Sequence, residues 1–189
     1  MEKYQIIEDD SGESFIKKTR QYQIFQNNEK LKIELKKAHI NDFLLNYSLK
    51  DYIGEDKENN LDKIKKYINE FANKFFNIHL YFFSLKNATQ KTTIASYIAK
   101  ELLQKGSSCY LIIMNDLIKL LQKVDFDSSL EDEIEKLYNY DFLIIDDSFD
   151  PNKVTLYKSG YQLSFLDTFL RKRMENYNKA TCFTSNIDI

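Results

Sequence analysis

Four short apolar runs, residues 78–83, 109–114, 142–145 and 180–184, alternate with stretches of helical periodicity, and this alternation constrains the fold more than any other feature. Each run is too short for a helix and rich in β-branched or aromatic residues, as strands are. Parallel strands need a crossover connection, for which a helix is the usual solution. Runs apolar at consecutive positions, rather than at alternate ones, predict a sheet buried on both faces. The expectation is an α/β, three-layer core with a mostly parallel sheet.

The helical stretches follow from spacing. Leu61, Ile64, Ile68, Phe71 and Phe75 recur at helical intervals behind a polar loop over residues 56–60, with Asn60 placed to cap the helix. Ile94, Ala95, Ile98, Ala99, Leu102 and Leu103 define the next one, closed by Lys105 and Gly106. Further helices are predicted over residues 116–122 and 162–177, with an acidic linker and helix over residues 125–137 between them. The core is expected to cover residues 56–189, preceded by an extension and lead-in over residues 1–55. That extension is acidic and polar to about residue 14 and then basic. Lys17, Lys18, Arg20, Lys30, Lys32, Lys36 and Lys37 face only Glu29 and Glu34, with Tyr22 and Phe25 interleaved. Two readings fit it: a nucleic-acid or partner surface, or a solvated helix or hairpin packed on the core.

Charge and cysteine usage remove several classes. A net charge of −2 argues against a protein that coats nucleic acid all over, while leaving room for a local basic patch. Cys109 and Cys182 both sit inside apolar runs, where a free thiol packs as a small hydrophobe. His39 and His79 are isolated from them, so neither a disulfide framework nor a zinc site is expected. No apolar run reaches membrane-spanning length, and Met1-Glu2-Lys3-Tyr4 lacks the pattern of a signal peptide. The expected setting is a reducing cytoplasm, with no membrane partner.

In a parallel sheet the ligand site lies beyond the carboxyl ends of the strands. The loop over residues 84–93, Asp146, Asp147 and Asn186 all follow strand ends, so they are expected on one edge. A phosphate-binding loop needs a strand, a tight turn and a helix whose first N–H groups face the anion, with a Lys for the phosphates and a Ser or Thr for magnesium. Lys91 and Thr92 stand at such a helix start, and Thr93 offers a second hydroxyl in a shifted register. Counted back from Lys91, the motif's two glycine positions hold Leu85 and Gln90, with Lys86, Asn87, Ala88 and Thr89 between them. The whole chain has only 4 Gly, and none falls in this loop. Asp146 and Asp147, after four apolar residues, suit a magnesium-bound water and the attacking water respectively. A helix cap or turn after a core strand would use the same carboxylates. Asn186 ends the last run, where an amide reaches the terminal phosphate or the water.

Taken in order, Leu80-Tyr81-Phe82-Phe83, Lys91-Thr92-Thr93-Ile94-Ala95, Leu143-Ile144-Ile145-Asp146-Asp147, Phe169-Leu170-Arg171-Lys172-Arg173 and Phe183-Thr184-Ser185-Asn186 resemble the DnaC/DnaI/IstB family of AAA+ ATPases. The resemblance runs from about Ala38 to the last residue, with Ala38-His39-Ile40 and Leu49-Lys50-Asp51-Tyr52 similar to that family's lead-in. It implies a P-loop NTPase core, ATP and Mg as cofactors, and a helicase-loading role in DNA replication. The implied partners are a replicative helicase and single-stranded DNA, with self-association. By residue it implies Asn87, Ala88, Thr89, Gln90, Lys91, Thr92 and Thr93 around the nucleotide, Thr92 and Asp146 for magnesium, Asp147 for water activation and Asn186 as the sensor-one residue. Arg171 and Arg173 become candidates for an interface or DNA contact, or for a solvated basic face. The sequence ends three residues after Asn186, so a core without the family's fifth strand and lid is expected. The glycine-free loop keeps a second reading in play, a nucleotide-incompetent AAA+-like adaptor for protein interaction. A small P-loop kinase is the third, and it lacks any acceptor-binding motif.

Overall fold

The structure is a computed structural model that describes residues 3–8, 14–53, 57–86, 89–124, 126–149 and 160–187. Strands β1 (Tyr4–Glu8) and β2 (Ser14–Lys18) form an antiparallel hairpin that runs into helix α1 (Arg20–Lys37), which Thr19 caps by accepting from the Tyr22 N–H. Two short 3-10 turns, Asp42–Leu45 and Leu49–Asp51, lead to α2 (Lys57–Glu70). Then follow β3 (Leu80–Phe83), α3 (Lys91–Gln104), β4 (Cys109–Ile113), α4 (Met114–Val124), α5 (Glu131–Asn139), β5 (Phe142–Ser148), α6 (Gly160–Arg171) and β6 (Ala180–Ser185). Strands β3, β6, β5 and β4 lie side by side in that order, all parallel.

The expected three layers are present because β5 is apolar on both faces. Phe142 and Ile144 pack with α1, α2 and α3, while Leu143 and Ile145 pack with α4, α5 and α6. None of the four exposes any surface, and full burial of each contributes about 1.5–3 kcal/mol. Gly106, at φ +91, ends α3 in the left-handed turn that glycine takes without a Cβ penalty.

Several boundaries differ from the sequence expectation. Asn60 lies inside α2 and does not cap it, because the helix starts at Lys57. The first core strand begins at Leu80, since the Ile78 N–H closes a turn on the Phe75 carbonyl. Met114 heads α4 instead of ending β4. The acidic linker and helix expected over residues 125–137 are a 3-10 turn at Ser128–Leu130 followed by α5, which runs to Asn139. Residue 125 itself lies outside the described residues. The last helix gives way to a π-helical turn at Lys172–Asn176. The segment ahead of residue 56 shares the core, through Leu31, Leu35, Ala38, Ile40 and Leu44. The Ala38 carbonyl also accepts from the Leu111 N–H on the outer edge of β4.

Arg173 is corrected outright. It is fully buried, and its guanidinium donates to the carbonyls of Leu137, Tyr138, Tyr140 and Ala180 and to Thr181 Oγ1. Burial pulls its pKa down to about 10, which leaves it cationic at neutral pH. It ties the end of α5 to the start of β6 and offers nothing to DNA. Arg171 is exposed and pairs with Asp167 at 2.8 Å and Glu175 at 4.0 Å on its own helical face.

Candidate functional site

The site forms at the carboxyl edge of the sheet, where β3 turns into α3 beside the ends of β5 and β6. A pocket of about 300 Å³ there is lined by Thr89, Gln90, Lys91, Thr92, Thr93, Asp146, Asp147, Thr184, Ser185 and Asn186. Eight of the ten residues singled out from sequence therefore meet in one place. The other two, Asn87 and Ala88, lie outside the described residues.

Gln90 holds the loop's turn. It sits at the N-cap of α3 with φ +62 and ψ +19, the left-handed conformation for which glycine is the usual residue. Leu85, at the other glycine position, is not among the residues with positive φ. The Gln90 side chain leaves the loop for the lead-in, where its Oε1 accepts from the Ile53 N–H at 3.1 Å. Lys91 curls over its own loop and donates to the Lys86 carbonyl at 3.3 Å and to Thr89 Oγ1 at 3.2 Å. Among the described residues it makes no ion pair, so its charge faces a helix N-terminus that already carries positive potential. An anion in the pocket relieves both.

The carboxylates are placed by an irregularity in β5. Register with β6 shifts between Ile145 and Ser148, and Asp147 takes φ +57. The strand expected to end in Asp146 and Asp147 runs on through both to Ser148, with the bulge against β6 between Ile145 and Ser148. Bulges re-aim side chains beside functional sites. Asp146 Oδ1 accepts from Thr92 Oγ1 at 2.6 Å and from the Thr184 hydroxyl. Thr184 Oγ1 in turn accepts from the Asp147 N–H at 3.0 Å. Sequence reasoning missed Thr184 as a site residue. The signal was its place beside Ser185 and Asn186, but a threonine in a buried strand usually reads as packing.

Behind the loop lies an apolar chamber of about 690 Å³, with Tyr52, Ile53, Leu80, Phe82, Ile94 and Ile98 in its wall. Thr89, Gln90 and Lys91 line both spaces, so the loop is the partition between them. The thiols of Cys109 and Cys182 are buried and unpaired, and burial pushes both up, away from the thiolate form. No cluster of three or more His, Cys, Asp or Glu residues suited to a metal occurs among the described residues. Tyr22 and Phe25 sit away from the core face of α1. The ammonium groups of Lys3 and Lys18 approach the Tyr22 ring at 5.7 and 6.0 Å, and Phe25 is 49% exposed.

No protein-family model matches the chain. Over 95 residues it is 33% identical to the replicative helicase loader DnaC of Escherichia coli K12, a stretch covering 49% of this chain and 38% of that protein. Among solved structures, the DnaC helicase loader superposes with a TM-score of 0.63 at 19% identity, covering 77% of this chain and 80% of that one. DnaI gives 0.58 at 19% identity, with 79% and 74% covered. The chain is similar to the DnaC/DnaI-like helicase loaders in sequence over about half its length and in fold over about three quarters. The helicase-loader likeness extends in fold to DnaA of Aquifex aeolicus, bound there to AMPPCP, with a TM-score of 0.58 at 15% identity over 75% of this chain and 42% of that one. The sequence match spans about two fifths of the DnaC protein, and among the described residues no helix is long and apolar enough to cross a membrane.

Proposed function

We propose that this chain is a nucleotide-binding, helicase-loader-like module of DNA replication that takes ATP with magnesium at the carboxyl edge of its sheet. One observation carries the reading: Lys91, Thr92, Asp146, Asp147 and Asn186, drawn from three separate strand ends, line a single pocket. The donor set fits the group. Thr92 and Asp146 present hard oxygens 2.6 Å apart, the ligand type magnesium prefers. Gln90 supplies at the loop's end the left-handed turn that glycine would supply.

In this reading the Lys91 ammonium binds the terminal phosphates, and the α3 N–H groups bind the phosphate chain through the helix dipole. Thr92 and Asp146 hold magnesium, which when bound neutralises charge on the phosphate oxygens. Thr89 and Thr93 border the same phosphates. The Asp147 carboxylate receives a proton from the attacking water and the Asn186 amide orients that water. The apolar chamber behind the loop takes the base, since it is lined by aliphatic and aromatic side chains and shares a wall with the phosphate site. The basic and aromatic stretch of residues 17–37, in the extension ahead of residue 56, faces a replicative helicase or single-stranded DNA. Self-association and a cytoplasmic setting complete the proposal.

Isothermal titration of the full chain with ATP and magnesium tests it. Binding that falls at least tenfold in Lys91→Ala, with an unchanged circular dichroism spectrum, is expected. No heat from the wild-type chain would favour the adaptor reading, in which the fold serves protein contacts alone.

A further inference from the structure

Gln90 links two parts of the site that are far apart in sequence. Its Oε1 accepts from the Ile53 N–H at 3.1 Å and its Nε2 donates to the Asp51 carbonyl at 3.5 Å, across 37 and 39 residues. A glycine here would take the same left-handed turn without the two bonds to Asp51 and Ile53. The lead-in between Ser48 and Tyr52 is also held by its own bonds, by the Lys57 ammonium on the Lys50 carbonyl at 3.0 Å and by packing of Leu49 and Tyr52 on the core. Ser48 and Asp51 form a reciprocal cap, and the Tyr52 N–H closes on the Leu49 carbonyl. Ile53 itself is 77% exposed, so packing does little to hold it. Yet Tyr52 and Ile53 both line the apolar chamber whose other boundary is the phosphate loop.

We propose that Gln90 is a positioning residue for base discrimination: its carboxamide holds Tyr52 and Ile53 against the chamber while its backbone shapes the phosphate loop. The inference rests on the nucleotide-binding reading above. Its physical basis is preorganisation. A wall already held in place costs no ordering when an aromatic base enters, whereas an untied segment must be ordered at that moment. The tie affects only the base half of the ligand. The phosphate half meets Lys91 and the α3 N–H groups, which Gln90 does not contact through its side chain.

The test compares the wild-type chain, Gln90→Gly and Gln90→Asn. Gly and Asn both accept a left-handed φ, but Gly has no side chain and Asn is one methylene short of the lead-in. Magnesium complexes of ATP and of inorganic tripolyphosphate are titrated into each, and exchange of the Ile53 amide is followed by NMR. In both variants tripolyphosphate is expected to bind within twofold of wild type, ATP at least tenfold more weakly, and the Ile53 amide to exchange at least tenfold faster. A merely structural role for Gln90 would weaken both ligands together, which overturns the inference. So does either variant that keeps the wild-type preference for ATP over tripolyphosphate. If the wild-type chain binds neither ligand, the nucleotide reading falls and this inference with it. If it binds both and the preference persists in the variants, only this inference falls.

Discussion

Thr92 and Asp146, 54 residues apart in the chain, meet at 2.6 Å across the gap between the first turn of α3 and the bulge in β5. The contact is the geometric core of the candidate site. It sets a hydroxyl and a carboxylate side by side, and the same Asp146 oxygen accepts a second hydroxyl from Thr184. Three backbone elements are thereby joined at one atom, so perturbing any of them displaces the others.

Thr184 is 2% exposed and also accepts from the Asp147 N–H. Thr184→Val keeps the shape, removes the hydroxyl and leaves that N–H unpaired, which costs about 1–3 kcal/mol. Urea unfolding of the variant is expected to show this loss together with weaker magnesium-dependent ATP binding. Thr184→Ser should recover most of both.

Asp147 occupies a left-handed backbone position that Asn also tolerates. Asp147→Asn is expected to unfold at the wild-type temperature and to bind ATP normally, with hydrolysis abolished. Asp147→Val, β-branched at the same φ, should lose about 1–2 kcal/mol. Thermal melts and a phosphate-release assay check the pair, and undiminished hydrolysis in Asp147→Asn would remove Asp147 from its proposed role.

The two arginines of the 171–173 segment should behave oppositely. Arg173→Met strands three buried carbonyls and the part-buried one of Tyr140, and is expected to destabilise the fold on the order of 3–5 kcal/mol. Arg171→Ala, on the surface, should leave the melting temperature unchanged. Any DNA affinity lost in the folded fraction of Arg173→Met would contradict its purely internal role.

His79 makes stability depend on pH in an accessible range. Its Nδ1 accepts from the Thr181 N–H, and burial, followed by the nearby Arg173 charge, lowers its pKa from the ordinary 6.5. Below pH 6.5 the unfolded chain takes up a proton on this ring before the folded chain does, so stability falls as pH drops through that window. His79→Asn, which retains an acceptor without titrating, should flatten this part of the profile in urea unfolding between pH 7.5 and 5.

The sequence by itself determined the architecture and the edge of the sheet at which its candidate residues gather. Consecutive apolar residues in four runs require a sheet covered on both faces, and helical spacing between them requires parallel crossovers, which bring every strand's carboxyl end to one edge. Lys91, Asp146 and Asn186 were legible on that ground alone, because periodicity is a local property. Only the tertiary structure decided that Arg173 faces inward, that Thr184 joins the two aspartates and that Gln90 takes a glycine's place while reaching the lead-in. Each of these depends on a partner 30 to 40 residues away or on a backbone angle set by a neighbouring strand. Residue type and spacing carry no record of such partners, since the same arginine, threonine or glutamine is at home on a solvated surface.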